Sequence, residues 1–260
     1  MITTLKSDAS IHRAKASTDW GILHLMSGIP DIPALTPNDV HVWMFPTDIS
    51  ADQCAELRKI LSPEECARAD RFMFESDRFR FIASHAELRI RLGAYCATPP
   101  ETLAFGAADH GKPFLLEPSI PIQFNLSHSG TRAALIVTPG MRCGIDIEKM
   151  RSRISDRAIS ERFFCARENR WLQSLPSGER VRGFFRLWAV KESILKADGK
   201  GLSLSLSAVD ASDVLSRISP RISLPNGGQA LSLWVGELDA GQEYAAALAV
   251  EGNAPRIRIL

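Results

Sequence analysis

Two long segments with a helical repeat of apolar residues constrain the fold of this chain most. One runs from about Asp77 to Tyr95, and the other runs from Val181 to Asp198 and is ended by Gly199. Short stretches around them alternate apolar and polar residues, which is the pattern of a half-buried strand. The resulting order, β-α-α-β-β-β-α-α-β-β, predicts an α+β fold built from two halves.

The predicted halves meet near Asp146. We expect an N-terminal extension over residues 1–38, an N-terminal half over 39–141 and a C-terminal half over 142–260. The extension is rich in Ser, Thr and Pro and has no regular pattern. The tripeptide Cys-Ala-Arg occurs at 66–68 and again at 165–167, each time before a long helix, which favours two related halves.

Composition excludes several classes of protein. The chain has 260 residues, of which 45% are hydrophobic and 23% charged, as in ordinary globular domains. No apolar run reaches the roughly 18–20 residues that a transmembrane helix needs, and the N-terminus lacks the layout of a signal peptide. The five cysteines are scattered and form no CxxC motif, which indicates reduced thiols. We therefore expect a cytoplasmic protein without membrane contact.

Charge is uneven along the chain, although the formal net charge is only +1. Between Arg142 and Lys200 there are 14 Lys and Arg residues against 8 Asp and Glu residues. This local excess indicates an anionic partner rather than nucleic acid, because a nucleic-acid-binding domain is usually basic as a whole. The alternative interpretation is a solvated helical face with an uneven charge count.

The segment Gly144–Glu148, with the sequence GIDIE, suggests a metal site. At the end of a probable strand, the period of two places Asp146 and Glu148 on one face, where they repel each other unless a cation lies between them. Glu192 and Lys196 of the second long helix would complete the set that Mg²⁺-assisted phosphoryl chemistry uses. The alternatives are an exposed strand face and an ordinary surface Glu–Lys pair.

The segment Phe124–Gly130, with the sequence FNLSHSG, places Ser127 beside His128. A hydrolytic Ser–His pair is excluded, because neighbours on a strand point in opposite directions and the G-x-S-x-G elbow is missing. Hydroxyls, an imidazole and turn amides would instead suit a phosphate group. The alternative is a polar turn over residues 127–132 with no ligand.

In this order and at this spacing, FNLSHSG, GIDIE and FFRLWAVKESILKADGKGL resemble the 4′-phosphopantetheinyl transferase superfamily. These motifs span residues 124–202, and weaker matches extend back to about Val40. Within this superfamily, the chain resembles the longer, monomeric surfactin-synthetase-activating type most, because both halves lie in one chain. The resemblance implies two similar α/β halves related by a pseudo-twofold axis, with the active site at their interface. It also implies transfer of the 4′-phosphopantetheine arm of coenzyme A to a serine of an apo acyl or peptidyl carrier protein, with release of adenosine 3′,5′-bisphosphate.

The resemblance assigns roles to individual residues. Asp146, Glu148 and Glu192 match the ligands of Mg²⁺, which Mn²⁺ can replace, and Lys196 matches the lysine at the pyrophosphate. Either Glu192 or Glu148 would take the proton of the attacking serine, and the sequence leaves that choice open. The residues expected to bind coenzyme A are Lys112 beside the adenine nucleotide, Ser127 and His128 at the phosphates, Lys196, Arg68 and Arg80.

One departure from the family pattern concerns the 3′-phosphate. Close relatives place basic residues in the stretch that ends the SPEE motif and follows it, where this chain reads Glu65, Cys66, Ala67, Arg68. Arg68 can replace one of them, but Glu65 cannot. Arg80 is a further candidate, and the alternative is that it is an ordinary surface residue of the helix. Glu168 matches a recurrent glutamate between the metal motifs. Four arginines that follow the metal motif are predicted to steer an acidic carrier protein; they are Arg151, Arg153, Arg157 and Arg162.

Two other functions are compatible with parts of this pattern. A Mg²⁺-dependent pyrophosphatase or nucleotide hydrolase would use the same acids with water as the nucleophile and would need no carrier surface. An inactive relative would only bind coenzyme A or a carrier. The complete set of Asp146, Glu148, Glu192 and Lys196 favours an active transferase over the inactive relative.

Overall fold

The computed structural model describes residues 32–116, 120–151, 157–199, 205–226, 229–253 and 255–260. Within these ranges the strands are β1 (Asp39–Pro46), β2 (Phe105–Ala107), β3 (Pro113–Leu115), β4 (Gln123–Ser129), β5 (Arg132–Thr138), β6 (Cys143–Lys149), β7 (Arg221–Asn226), β8 (Gln229–Leu238), β9 (Tyr244–Glu251) and β10 (Arg256–Ile259). The α-helices are α1 (Ala51–Arg58), α2 (Pro63–Ala69), α3 (Glu75–Cys96), α4 (Arg157–Phe163), α5 (Ala166–Ser174), α6 (Arg180–Asp198) and α7 (Ser212–Leu215).

The first sheet has the strand order β10-β1-β5-β4. Strand β5 is antiparallel to both β1 and β4. Helix α3 covers one face of this sheet, where Leu88 and Leu92 of the helix share a buried cluster with Phe124, Leu135 and Val137 of the strands. The apolar stripe that predicts this helix is therefore the stripe that the sheet buries.

The second sheet has the strand order β6-β9-β8-β7, and all its neighbouring strands are antiparallel. Helix α6 covers one face, where Leu187 and Val190 pack with Leu233, Val235 and Ala247 in a buried cluster. Among the described residues, no helix is long and apolar enough to cross a membrane.

The two sheets repeat one connection. In the first, strand β1 is followed by α3 and then by β4 and β5, and β5 lies between its two neighbours. In the second, β6 is followed by α6 and then by β8 and β9, and β9 lies in the middle in the same way. This agreement confirms the expected α+β fold with two similar α/β parts.

The remaining faces of the two sheets bury each other. Val42 and Ile136 of the first sheet share a cluster with Ile145, Ile147 and Leu248 of the second. Middle strands such as β5 and β9 are therefore covered on both faces, which explains their nearly continuous apolar sequence. This arrangement brings β6 against β4, where the predicted phosphate and metal motifs lie.

The predicted C-terminal half, 142–260, differs from the structure at its last strand. Strand β10 runs parallel to β1 and completes the first sheet, with Arg256 opposite Asp39. The Nε atom of Arg256 lies 3.1 Å from Oδ1 of Asp39. Alternation of Arg and Ile predicts a strand in this segment but carries no information about its partner.

Two local predictions differ in their bounds from the structure. The helix predicted from about Asp77 to Tyr95 extends from Glu75 to Cys96. The polar turn predicted over residues 127–132 is shorter, because β4 continues through Ser129 and β5 begins at Arg132. Residues 1–31 of the predicted extension lie outside the described residues.

Candidate active site

Close packing of α6 on β6 places the acidic and basic motifs side by side. A Cβ atom on Gly144 would lie 2.1 Å from the main-chain oxygen of Ser193 and 2.5 Å from the nitrogen of Ala197. Only glycine permits this approach of helix and strand backbone. It brings α6, which carries Glu192 and Lys196, against the start of β6.

Lys196, Asp146 and Ser127 form a hydrogen-bonded triangle. The Nζ atom of Lys196 lies 2.6 Å from Oδ1 of Asp146 and 3.0 Å from Oγ of Ser127. The Ser127 hydroxyl donates to the same Asp146 oxygen over 2.9 Å. Asp146 is only 3% exposed, so the interpretation of an exposed strand face is wrong. Ser127 is also buried and lies within β4, which excludes the simple polar turn.

Glu148 and Glu192 flank this triangle, and both are half-buried. Burial and the negative charge of Asp146 raise the pKa of Glu148, against the lowering effect of a hydrogen bond from Ser129. The hydroxyl of Ser129 lies 2.8 Å from Oε2 of Glu148. Burial and the charge of Asp146 also raise the pKa of Glu192. Three carboxyl groups thus lie beside a single ammonium group, that of Lys196.

The donor set fits a hard divalent cation. The second oxygen of Asp146, Oδ2, is buried and has no hydrogen-bond partner among the described residues. An unpartnered carboxylate oxygen beside two acids with raised pKa values is a favourable place for a cation that prefers oxygen ligands. Asp146, Glu148 and Glu192 would hold such an ion.

In the described part of the chain, another group of three side chains has possible metal-ligand atoms close to one another. One such atom each from Cys165, Glu168 and Asp210 lies within 4.8 Å of the others. Glu168, however, is fully buried and already binds Nζ of Lys191, at 2.6 Å from each of its carboxylate oxygens. The main-chain amides of Cys165 and Ala211 also donate to it. The recurrent glutamate is thus saturated by protein donors, which leaves it no free oxygen for an ion.

Three side chains of β4 bind three main-chain amides of β6, and we call this set the β4–β6 ladder. Its rungs are Asn125 Oδ1 with Ile145 N at 2.9 Å, Ser127 Oγ with Ile147 N at 3.4 Å and Ser129 Oγ with Lys149 N at 3.1 Å. Residues two apart on a strand share a face, so one face of β4 supplies all three acceptors. The ladder fixes the register between the phosphate motif and the carboxylate motif.

Positive charges surround His128, whose side chain is exposed. Partial desolvation lowers the pKa of His128, and the positive charges of His85, Lys196, Arg68 and Arg80 lower it further. Arg80 also pairs with Asp77, with Nη1 and Oδ1 3.0 Å apart. The structure thus brings Arg68 and Arg80 near His128, the arrangement that an anion site needs. His85 also lies there, although it was not predicted to be part of the site.

Glu65 holds His85, one of these basic residues, in place through its carboxylate. Its carboxylate accepts from the Ser62 amide in a capping box, and it lies 3.0 Å from Nδ1 of His85 and 2.6 Å from Nε of Arg89. Burial alone would raise the pKa of Glu65, but the hydrogen bonds from His85 and Ser62 and the charge of Arg89 lower it to about 2. The acid therefore orients His85 and Arg89, two basic residues of α3. His85 and Arg89 are spaced so that they lie on one helical face. That spacing was the signal that could have indicated their shared contact with an acid.

Lys112, expected beside the adenine nucleotide, binds two main-chain carbonyl groups of the protein through its amine. Its Nζ atom donates to the main-chain oxygens of Cys143 and Lys196, at 2.8 Å and 2.7 Å. Burial lowers the pKa of this amine. The side chain thus joins the turn before β3 to β6 and α6, and its ammonium group faces carbonyls of the protein.

The arginines predicted to steer a carrier are only partly described. Arg151, two residues after β6, and Arg162, in α4, are exposed. Arg153 and the side chain of Arg157 lie outside the described residues. The two described arginines offer positive charge near the carboxylate motif along the chain.

Family models match both halves of the chain. The 4′-phosphopantetheinyl transferase superfamily model matches residues 142–249, and the model of the 4′-phosphopantetheinyl transferase N-terminal domain matches residues 48–139. The chain is 38% identical over 179 residues to the 4′-phosphopantetheinyl transferase HetI of Nostoc, covering 67% of this chain and 76% of the relative.

Two relatives from Bacillus subtilis match a longer stretch. A 4′-phosphopantetheinyl transferase is 32% identical over 77% of this chain and 86% of its own length. The 4′-phosphopantetheinyl transferase Sfp is 29% identical over 77% of this chain and 88% of its own length. With both domain models matched in order and most of each relative covered, the chain belongs to the 4′-phosphopantetheinyl transferase superfamily as a two-domain enzyme of the Sfp-like type, which transfers phosphopantetheine to carrier proteins.

Proposed function

We propose that this enzyme takes the phosphopantetheine arm from coenzyme A and attaches it to a serine hydroxyl of an apo acyl or peptidyl carrier protein. The serine oxygen forms a bond to the phosphorus that bears the pantetheine, and the bond from that phosphorus to the bridging pyrophosphate oxygen breaks. The serine loses its proton, and adenosine 3′,5′-bisphosphate leaves. The contact of Lys196 with Asp146, beside Glu148, is the observation that carries this proposal.

Charge neutralisation is the main task of such a site. Asp146, Glu148 and Glu192 would hold Mg²⁺, or Mn²⁺ in its place, and the bound ion would offset negative charge on the pyrophosphate. Lys196, whose side chain is 27% exposed, stays accessible to a substrate while Asp146 and Ser127 orient its amine. Its ammonium would stabilise the charge that develops on the leaving phosphate.

The carboxylate that accepts the serine proton is Glu192 or Glu148. Both acids have a raised pKa, because each is desolvated and each faces the charge of Asp146. A carboxylate with a raised pKa accepts a proton more readily than an ordinary one. Both therefore stay candidates for the general base.

Arg68 and Arg80, with the imidazoles of His85 and His128 beside them, would bind the 3′-phosphate of coenzyme A. These residues are close enough for the three partners to lower the pKa of His128 electrostatically. Ser127 would lie at the phosphates between this cluster and Lys196. Two nearby arginines with planar donors suit a phosphate group.

The carrier protein would approach from the side of Arg151 and Arg162, and its acidic surface would be attracted by their exposed charges. Because one chain contributes both β4 and β6 to the site, a single copy would contain the complete machinery, and we propose that the enzyme acts as a monomer. We also propose that it works in the cytoplasm.

Intact-mass spectrometry tests the proposed reaction. A purified apo carrier is mixed with the enzyme, coenzyme A and Mg²⁺, with Glu192→Gln and an EDTA-treated sample as controls. We expect the carrier to gain the mass of one phosphopantetheine arm with the wild type only. Release of adenosine 3′,5′-bisphosphate without any carrier would indicate a hydrolase instead. Coenzyme A binding with no mass gain on several carriers would indicate an inactive binding protein.

A further inference from the structure

We infer that Ser129 is a positioning residue that holds the carboxylate of Glu148 next to Asp146. This inference rests on the proposed function, in which Glu148 is a metal ligand. Ser129 is the last residue of β4 and is half-buried. Its Oγ atom lies 2.8 Å from Oε2 of Glu148 and 3.1 Å from the main-chain nitrogen of Lys149.

The two hydrogen bonds of Ser129 have a fixed direction. An amide N–H can only donate, so the oxygen of Ser129 accepts from Lys149. The single hydroxyl proton is then free to point at Glu148. Oε2 of Glu148 therefore accepts a hydrogen bond, which favours the ionised carboxylate and fixes the orientation of its plane.

Ser127 repeats the same geometry one rung earlier in the β4–β6 ladder. Its oxygen accepts from the amide of Ile147, and its hydroxyl donates to Asp146. Two hydroxyls two residues apart on β4 thus hold two carboxylates two residues apart on β6. The Ser127 hydroxyl additionally contacts the amine of Lys196, whereas both side-chain hydrogen bonds of Ser129 are with residues of β6. Ser129 therefore serves the carboxylate and the ladder alone.

Contacts with the second sheet hold the turn after Ser129. The hydroxyl oxygen of Tyr244 accepts from the amide of Thr131 over 3.2 Å. Gly130 has a φ of +56°, and a Cβ there would lie 2.7 Å from Cδ of Lys149 and 2.9 Å from the Tyr244 hydroxyl. The end of β4 is thereby fixed on β6, so the Ser129 hydroxyl has a defined place from which to orient Glu148.

The test compares Ser129→Ala with Ser129→Thr in the full-length enzyme. Binding of Mn²⁺ is measured by electron paramagnetic resonance without coenzyme A, and KM and kcat for transfer are measured separately. We expect Ser129→Ala to weaken Mn²⁺ binding by about tenfold, the size of effect typical for partners of metal ligands. Threonine keeps the hydroxyl, so Ser129→Thr is expected to restore binding to within about threefold of the wild type.

Asn125→Ala provides the matched control. It removes a rung of the same ladder, the one that binds the Ile145 amide, without touching a carboxylate. We expect this variant to lower thermal stability as Ser129→Ala does, but to bind Mn²⁺ like the wild type. Equal Mn²⁺ affinity in Ser129→Ala and the wild type would overturn the inference, and so would equal weakening in Ser129→Ala and Asn125→Ala. Failure of the proposed function differs from both, because the wild type itself would then neither bind Mn²⁺ nor modify a carrier.

Discussion

The ammonium group of Lys112 donates a hydrogen bond to the main-chain oxygen of Lys196, and the two atoms are 2.7 Å apart. Carbonyls in the last turn of a helix lack a partner within the helix, so this bond satisfies a group that would otherwise be orphaned. The same ammonium also binds the carbonyl of Cys143 at the start of β6. One side chain of the first half thus fixes both the helix and the strand that carry the charged residues of the site.

We expect Lys112→Met to destabilise the protein by about 1–3 kcal/mol, because two main-chain carbonyls lose their donor. Since the bound turn of α6 carries Lys196, kcat should fall while KM for coenzyme A changes little. Urea unfolding and steady-state kinetics measure both effects. Lys59→Met is the control, because that lysine forms only an exposed pair with Glu56. Unchanged stability with a strongly raised KM for coenzyme A would place Lys112 at the nucleotide instead.

Replacing Gly144 by alanine should separate α6 from β6. The new Cβ would meet the Ser193 oxygen at 2.1 Å, so the helix backbone must shift. We expect a loss of at least about 1–3 kcal/mol of stability, typical of overpacking, together with a strong loss of transfer activity. Gly178→Ala is the control, because nothing lies within 4 Å of a Cβ at Gly178. A stable and fully active Gly144→Ala variant would contradict the close packing.

Acid should destabilise the protein partly through Glu65. The folded-state pKa of this carboxyl, about 2, lies below its ordinary value of 4.5. Its contribution is therefore present above pH 4.5 and is lost as the pH falls from about 4.5 towards 2. The free energy of unfolding of Glu65→Gln should depend less on pH across this window than that of the wild type. Glu56→Gln, at an exposed ion pair, is the control for loss of a surface carboxylate, and identical curves for Glu65→Gln and the wild type would refute the prediction.

The buried pair of Glu168 and Lys191 predicts a strong coupling between two positions. Either single variant, Glu168→Gln or Lys191→Met, leaves one group buried without its charged partner and should cost about 3–5 kcal/mol. The double variant should be less destabilised than the sum of the two single variants. A double-mutant cycle from chemical unfolding measures this difference. Additive effects would show that the 2.6 Å contact contributes nothing to stability.

Charge reversal at Arg151 and Arg162 should act on the carrier protein alone. We expect Arg151→Glu combined with Arg162→Glu to raise KM for the carrier, more strongly at low salt, and to leave KM for coenzyme A nearly unchanged. Steady-state kinetics with each substrate varied in turn measure this split. Arg221→Glu, at an exposed arginine of β7, is the control. Equal changes in both KM values would exclude a docking role.

Local patterns predicted most of the elements, because they depend on neighbouring residues. The apolar stripe placed α3 within two residues of its bounds, and the alternation in GIDIE placed β6. The partner of β10 was not predictable in this way, since strand pairing depends on residues far away in the sequence. The contact of Lys112 with α6 is equally long-range and was missed for the same reason.

In the candidate site, too, the features that follow from local spacing were predicted and the long-range contacts were missed. Asp146 and Glu148 share a face by their spacing, and the motif order indicated Lys196 and Ser127 as their neighbours. Ser129 was missed because β4 was expected to end before it; a strand that continues to residue 129 puts Ser127 and Ser129 on one face. The supporting acid, Glu65, was recognised only as a departure from the family, because its partners His85 and Arg89 lie on another helix.

The parallel pairing of β10 with β1 also sets an order of events during protein synthesis. The ribosome completes β1, β4 and β5 long before it makes Arg256, which bonds to Thr36 across 220 residues of sequence. Until then one edge of β1 has unpaired amides and carbonyls, which can pair with other chains. The nascent chain must therefore avoid pairing this edge of β1 with other chains while the second half is translated. Fragments that stop after β5 would carry the same open edge and should aggregate.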